Sequence, residues 1–189
     1  VIVFLIIVLL LCMFDVRLKT VHYKVFTKKI SSPVKIALIT DLHSCKYGNN
    51  QKQLINAVKK ENPDIILLGG DIFDDKITDK NAEIFIKNVS GKYPCYYVTG
   101  NHEYWSNRID EILEKLKSYN VKILDGKTET IRIRNQEINL SGIDDPDAEK
   151  YTDKGEVFYS QLEETEKNKN NDLFTVLLAH RPSYIESYL

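Results

Sequence analysis

Cysteine is scarce in this chain of 189 residues, and the way it is distributed excludes two kinds of site. The three cysteines are Cys12, Cys45 and Cys95, and no two of them have C-x-x-C spacing. They are too few and too scattered for a disulfide framework or a thiolate zinc site. Excess charge is also absent. Because the formal net charge is −1, bulk electrostatics predict no nucleic-acid partner.

One long hydrophobic run is present, VIVFLIIVLLLCMF at residues 1–14. A membrane span needs about 20 apolar residues and a signal-peptide core about 7–15. Because the first residue is Val1 and not Met, we expect a fragment of a longer chain, cut at both ends. The run then predicts a single-pass N-terminal membrane anchor over residues 1–16, with a cleaved signal peptide or a buried helix as alternatives. The basic segment 17–31 is the predicted juxtamembrane strand or linker, and it leaves the side of the membrane open.

From residue 32 onwards, apolar strand-like runs alternate with helical patterns. The runs are VKIALIT (34–40), DIILLGG (64–70), YPCYYVT (93–99) and LFTVLLA (173–179). Apolar residues with helical spacing lie at 54–58, 84–89 and 109–116. This order predicts β-α-β units and an α/β fold whose sheet is covered on both faces. Alternation on both sides of Asn135-Gln136 predicts a hairpin over 128–143. Residues 163–172 indicate a solvated loop or a frayed helix end.

Side chains that can bind metal ions follow each of the four strand-like runs. In chain order they are Asp41 and His43, then Asp71 and Asp74, then Asn101 and His102, and finally His180. The carboxyl ends of strands form the ligand crevice in open α/β sheets, so these side chains can converge from separate points. Oxygen and nitrogen donors without a thiolate suit Mn²⁺, Fe or Zn²⁺. One carboxylate such as Asp71 can bridge two ions about 3.5–4 Å apart.

The motifs D-x-H, G-D-x-x-D and G-N-H-[DE], followed by a later histidine, resemble the calcineurin-like metallophosphoesterase superfamily. LITDLH, GIDDP and LAHRP resemble its membrane-associated bacterial phosphodiesterase-like branch. The resemblance covers residues 32–189, the predicted catalytic domain. It implies a β-sandwich of mixed sheets flanked by helices. It also implies hydrolysis of a phosphoester by a hydroxide that bridges two divalent ions.

The resemblance assigns a metal-binding role to five side chains. Asp41 and His43 ligate the first ion, and Asp71 bridges both ions. Asn101 and His180 ligate the second ion. The family completes its site with a later Gly-His-x-His block, which this sequence does not contain. The alternative is therefore a membrane-anchored binding or scaffold protein that keeps the fold without the catalysis.

Two further residues take catalytic roles under the resemblance. His102 stands beside the substrate, where it stabilises phosphoryl oxygens or protonates the leaving oxygen, and Asp74 is the carboxylate that orients it. Asp75 occupies the position where protein serine/threonine phosphatases of this superfamily have Arg. A second carboxylate repels a phosphomonoester dianion, so the predicted substrate is a phosphodiester or a pyrophosphate. The predicted membrane location makes a lipid-linked substrate plausible.

Each motif taken alone also fits an ordinary turn or loop, and only the four in order predict a metal site. Possible pocket residues are Cys45, Tyr104 and Asp144. Tyr47 near Cys45 and Asp145 beside Asp144 are candidates for the same role. Tyr104 and Trp105 either form an apolar wall of the site or pack in the interior. The remaining histidine, His22, is predicted to face solvent.

Overall fold

The structure, a computed structural model, describes residues 17–152 and 155–188. The predicted anchor at residues 1–16 lies outside these ranges. Within them, no helix combines the length and the apolar character that crossing a bilayer requires.

Strands and helices alternate through the first two thirds of the described chain. In chain order the strands are β1 (Ile36–Ile39), β2 (Ile65–Gly69), β3 (Cys95–Val98), β4 (Val121–Ile123), β5 (Lys127–Ile133), β6 (Gln136–Gly142) and β7 (Phe174–Leu178). The helices are α1 (Lys52–Glu61), α2 (Lys80–Ser90), α3 (Asn101–Trp105), α4 (Ile109–Ser118), α5 (Ala148–Tyr151), α6 (Val157–Asn168) and α7 (Ile185–Tyr188). Short 3-10 turns lie at Asn49–Gln51 and Pro182–Tyr184.

The first four strands form a parallel sheet in the order β1-β2-β3-β4. Leu68 in β2 lies between Ile39 in β1 and Tyr97 in β3, so the three strands end at the same edge. The predicted helical patterns at 54–58, 84–89 and 109–116 are confirmed as α1, α2 and α4. Because each crossover between parallel strands contains a helix, the carboxyl ends of β1, β2 and β3 all point the same way.

A second sheet has the order β5-β6-β7, in which β5 and β6 are antiparallel and β6 and β7 are parallel. The predicted hairpin is confirmed, with its turn at Arg134-Asn135, one residue earlier than the pattern indicated. The fourth apolar run, β7, lies in this second sheet and not beside the first three. Residues 174–177 are only half-buried. The hydrophobicity of this run alone did not distinguish it from the strands of the first sheet.

The core has two layers because side chains alternate across each strand. Leu68 and Tyr97 face α1, α2 and α4, whereas Leu67 and Val98 face the second sheet and contact residues such as Leu140. The expected α/β fold with flanking helices is confirmed. Of the two interpretations of residues 163–172, the helix end is confirmed, since α6 continues to Asn168.

Candidate metal centre

The segments that follow β1 and β2 run side by side beyond the strands. The Asp41 backbone N–H donates to the Gly70 carbonyl (3.1 Å), and the His43 N–H donates to the Asp71 carbonyl (2.8 Å). Asp41, His43 and Asp71 have φ values of 53°, 46° and 51°, a region that non-glycine residues rarely adopt. Such strained backbone is typical of functional sites and persists only where neighbouring contacts hold it.

Two glycines allow the loops to approach one another. Gly70 has a φ of +86°, and a Cβ there would lie 2.7 Å from His180 Nδ1. A Cβ at Gly100 would collide with the carboxylate of Asp71. Both positions therefore exclude a side chain, because the loop after β3 and the loop after β7 close directly onto the loop after β2.

Asp71 lies at the centre of the site, with its side chain 5% exposed. Its Oδ1 accepts a hydrogen bond from the His102 backbone N–H (2.9 Å). Its Oδ2 lies 3.6 Å from His43 Nε2 and 3.4 Å from His180 Nε2. Burial raises the pKa of Asp71, but the hydrogen bonds from His180 and from the His102 backbone outweigh it, so the pKa is below its ordinary value. Asp71 is therefore an anion placed between two imidazoles.

His180 presents its Nε2 atom to Asp71 because its other ring nitrogen is occupied. Nδ1 donates to the Gly69 carbonyl at 2.8 Å, which fixes the orientation of the ring. Burial lowers the pKa of His180, but the interactions with Asp71 and with the Gly69 carbonyl outweigh it and raise the pKa to about 9. A histidine ligand held in this way through Nδ1 is typical of metal sites.

The donor set fits a divalent cation. The ligand atoms of Asp41, His43 and Asp71 all lie within 4.8 Å of one another. Asn101 begins α3 directly after Gly100 and is 7% exposed. The predicted ligands at the ends of β1 and β2, and His180 at the end of β7, are thus brought to one place, and Asn101 directly precedes His102, whose backbone N–H contacts Asp71. Carboxylate oxygens and imidazole nitrogens without a thiolate suit Mn²⁺, Fe or Zn²⁺.

The carboxylate beside His102 differs from the predicted one. Asp75 Oδ1 lies 2.8 Å from His102 Nδ1, whereas Asp74 Oδ2 lies 3.8 Å away. Asp74 Oδ2 lies closer to His43 Nδ1, at 3.2 Å. Its Oδ1 accepts the backbone N–H groups of residues 76 and 77. Because these bonds fix the Asp74 carboxylate in its turn, Asp75 takes the position predicted for Asp74.

Glu103 is a buried carboxylate beside the site, and the sequence patterns assigned it no role. Its side chain is fully buried, and its two oxygens accept four backbone N–H groups. Oε1 accepts from Ile72 (2.8 Å) and Phe73 (3.0 Å), and Oε2 accepts from Asp71 (3.0 Å) and Gly100 (2.9 Å). Burial raises its pKa to about 7. Glu103 lies three residues after Gly100, a spacing at which a glutamate side chain accepts the backbone N–H that precedes a helix, so the sequence could have revealed one of these four contacts.

Two of the possible pocket residues do not line an open site. Tyr104 is 3% exposed and packs with Ala148 and Val157. Asp144 is 4% exposed, and its carboxylate accepts hydrogen bonds from Thr99 Oγ1 (2.8 Å) and Gln161 Nε2 (2.9 Å). The structure corrects the pocket role predicted for Asp144 and, of the two alternatives for Tyr104, supports packing in the interior.

The remaining candidates have different surroundings. Cys45 is exposed two residues after His43, and Tyr47 is half-buried against the helical side of the core. Trp105 is 42% exposed and lies against His102, with ring centroids 4.6 Å apart, as expected of a wall of the site. His22 faces solvent as predicted and pairs with Glu61 (3.0 Å).

Sequence comparison shows that this chain is similar to known metallophosphoesterases. A family model described as calcineurin-like phosphoesterase matches residues 34–189. An uncharacterized metallophosphoesterase of Helicobacter pylori is 30% identical over 174 residues, which are 90% of this chain and 45% of that protein. A Bos taurus protein named transmembrane protein with metallophosphoesterase domain is 29% identical over 162 residues, which are 79% of this chain and 35% of that protein.

Solved structures share the fold. The structure of TT1561 of Thermus thermophilus superposes with a TM-score of 0.57 at 13% identity, covering 82% of this chain and 78% of that one. The chain spans less than half the length of the curated relatives that it matches.

Proposed function

The chain belongs to the calcineurin-like phosphoesterase family, and from this premise we propose that it hydrolyses a phosphoester with two divalent metal ions. The observation that carries the proposal is the position of Asp71, whose Oδ2 lies between His43 Nε2 and His180 Nε2. A carboxylate shared in this way supports a bridging role. Asp41 and His43 would then hold one ion, and His180 with Asn101 would hold the other.

When bound, divalent ions supply Lewis acidity at the phosphoryl oxygens and lower the pKa of water, so a serine or cysteine nucleophile is not required. The protein's own contribution is to position the reacting groups. A water oxygen adds to phosphorus and loses one proton to solvent, the bond from phosphorus to the leaving oxygen breaks, and protonated His102 donates a proton to that oxygen and is then reprotonated from solvent. The contact between His102 Nδ1 and Asp75 fixes the ring and leaves Nε2 for the substrate.

Charge around His102 favours particular substrates. Asp74 and Asp75 both lie within 4 Å of its ring nitrogen. Two carboxylates at this distance repel a phosphomonoester dianion more strongly than a phosphodiester, which has one charge per phosphate. We therefore propose a phosphodiester or pyrophosphate substrate.

The segment 17–31 supports a location at the membrane. Val21, Tyr23, Val25 and Phe26 are 64–90% exposed, and lysines are interspersed among them. Exposed aromatic residues with basic neighbours suit the interface of an anionic bilayer. We propose that the chain acts at the membrane on a lipid-linked substrate. Membrane fractionation tests the location: the chain should sediment with membranes and be released by detergent but not by high salt.

Substrate competition in detergent micelles tests the lipid link. A lipid-linked pyrophosphate should be cleaved faster than a soluble nucleoside diphosphate sugar at equal concentration. Cleavage of the soluble compound alone would reject the lipid-linked proposal and leave the phosphoesterase proposal intact.

The central experiment measures metal content and turnover of the Mn²⁺-loaded chain with bis-p-nitrophenyl phosphate. Asp71→Asn should lose bound metal and activity together. His102→Gln should keep its metal content and lose about 10²- to 10⁴-fold in kcat, the usual contribution of a general acid. His22→Gln is the matched control, because this exposed histidine lies outside the site. A chain that binds metal but cleaves neither diesters nor pyrophosphates would instead support the binding-protein alternative.

A further inference from the structure

An arginine held by a buried carboxylate lies next to the metal ligands. Arg181 Nε donates to Asp145 Oδ2 (2.6 Å), and Arg181 Nη2 donates to Asp145 Oδ1 (3.1 Å). The Asp145 side chain is fully buried, whereas Arg181 is 32% exposed. A buried carboxylate is costly unless it is paired, so this pair fixes the guanidinium in one orientation.

Arg181 belongs to a continuous line of contacts that begins and ends in the site. Arg181 follows His180 directly in the chain. Its Nη2 lies 3.7 Å from Asp147 Oδ2, and Asp147 Oδ2 accepts a hydrogen bond from Trp105 Nε1 (2.7 Å). Trp105 in turn lies against His102. We call Trp105, Asp145, Asp147 and Arg181 the arginine rim. It borders the site from the metal ligand to the residue proposed to protonate the leaving group.

One side of the guanidinium is left for a ligand. Nε and Nη2 are occupied by Asp145, whereas Nη1 donates no hydrogen bond to any residue in the described part of the chain. An arginine fork matches the oxygens of a phosphoryl group and remains charged at any working pH. Because Asp145 already orders the Arg181 side chain, this side chain loses little additional conformational entropy when a ligand binds it.

We propose that Arg181 is a specificity-determining residue that binds a second phosphoryl group, next to the one that is cleaved. The inference rests on the proposed phosphoesterase function and narrows its substrate class to pyrophosphates. A simple phosphodiester offers only an uncharged ester group at this position and gains nothing from the guanidinium. Asp145 is the positioning residue for Arg181.

The ion pair between Arg181 and Asp145 would also be expected if its only role were to connect the loop after β6 to the loop after β7. Removing Arg181 alone leaves a buried, unpaired carboxylate and risks unfolding. The informative change is therefore the double variant Asp145→Asn/Arg181→Gln, which replaces the ion pair with two neutral amides. Lys150→Gln is the matched control. It removes a cation from Asp147 (2.9 Å) without altering the contact between Arg181 and Asp145.

The experiment measures calorimetric binding of imidodiphosphate and of orthophosphate to the Mn²⁺-loaded chain. The ratio of the two affinities should fall by about 10- to 100-fold in the double variant, the range of a charged hydrogen-bonded contact. It should stay unchanged in Lys150→Gln. The ratio of kcat/KM values for a nucleoside diphosphate sugar and for bis-p-nitrophenyl phosphate should fall in parallel. A folded double variant that keeps both ratios would overturn the inference.

Failure of the underlying function gives a different result. If the wild-type chain cleaves neither substrate, the phosphoesterase proposal fails, whatever the phosphate binding shows. If it cleaves the diester but binds imidodiphosphate no more tightly than orthophosphate, only the role of Arg181 is rejected.

Discussion

Replacing Glu103 with glutamine tests whether one buried carboxylate holds the metal-binding loops together. In the wild-type chain each of its oxygens accepts two backbone N–H groups, one pair from Ile72 and Phe73 and the other from Asp71 and Gly100. Glutamine keeps one acceptor oxygen and replaces the other with an amide NH₂ group. Whichever way the amide is turned, two buried backbone donors then face another donor.

The magnitude follows from those two donors. A buried N–H group without an acceptor costs about 1–3 kcal/mol, so two cost about 2–6 kcal/mol. Removing a buried charge offsets part of this loss. We expect Glu103→Gln to lower the free energy of unfolding by about 2–5 kcal/mol, which is a large share of the 5–15 kcal/mol typical of a domain.

Urea unfolding at pH 8 measures this loss, because wild-type Glu103, with its pKa of about 7, is ionised at that pH. Metal affinity is the second measurement. The backbone of Asp71 is bound directly by Glu103, so Mn²⁺ binding should weaken by about 10- to 100-fold, as for other residues that orient metal ligands. The control is Glu129→Gln, which removes a surface partner of Lys122 and should cost less than about 1 kcal/mol. If Glu103→Gln matches the wild type in both unfolding and Mn²⁺ affinity, the reasoning is refuted.

Two other predictions concern the partner of His102 and the stability of the domain in acid. Asp75→Asn should lower kcat by about 10- to 100-fold with unchanged metal content, because the partner that orients His102 is lost; loss of metal instead would place Asp75 in the ligand set. Burial raises the pKa of Asp79, but hydrogen bonds from Arg108 (2.9 and 3.0 Å) contribute to lowering it below its ordinary value of 3.8. The stabilisation is therefore present above that ordinary pKa and is lost as the pH falls through the folded-state pKa. In urea unfolding at pH 7, Asp79→Asn should lower the free energy of unfolding by about 2–3 kcal/mol. The control Glu114→Gln, at an exposed residue, should lower it by at most about 1 kcal/mol. Equal losses for the two variants would contradict a stabilising role for Asp79.

Much of the architecture could be predicted because the relevant signals are local. Continuous apolar runs marked β1, β2 and β3, and spacing along the chain marked α1, α2 and α4. The convergence of Asp41 and Asp71 followed from a general property of strand ends in α/β sheets, whereas His180 reaches the site from the second sheet. The placement of β7 in the second sheet could not be predicted, since it depends on pairing with β6, a long-range contact that leaves little trace in a five-residue run.

The features that could not be predicted depend on which backbone and side-chain groups are adjacent in the folded chain. Asp74 and Asp75 are adjacent and chemically identical, and only the turn that binds the Asp74 carboxylate leaves Asp75 for His102. The contacts of Glu103 require the loops after β2 and β3 to be adjacent, which spacing along the chain does not encode. No role was predicted for Arg181, although it directly follows the predicted ligand His180, because its partner Asp145 is distant in sequence.

The raised pKa of His180 would make metal loading an acid–base reaction if this histidine ligates a metal ion as proposed. At neutral pH the imidazole carries its proton, since its pKa is about 9, and a cation can bind Nε2 only when that proton leaves. Each loading event at this position therefore releases a proton to the buffer. Apparent affinity should rise about tenfold per pH unit until the pH reaches the pKa of this histidine. Lowering the pH of the buffer should therefore release metal at this position, and raising it should restore binding at the same total metal concentration.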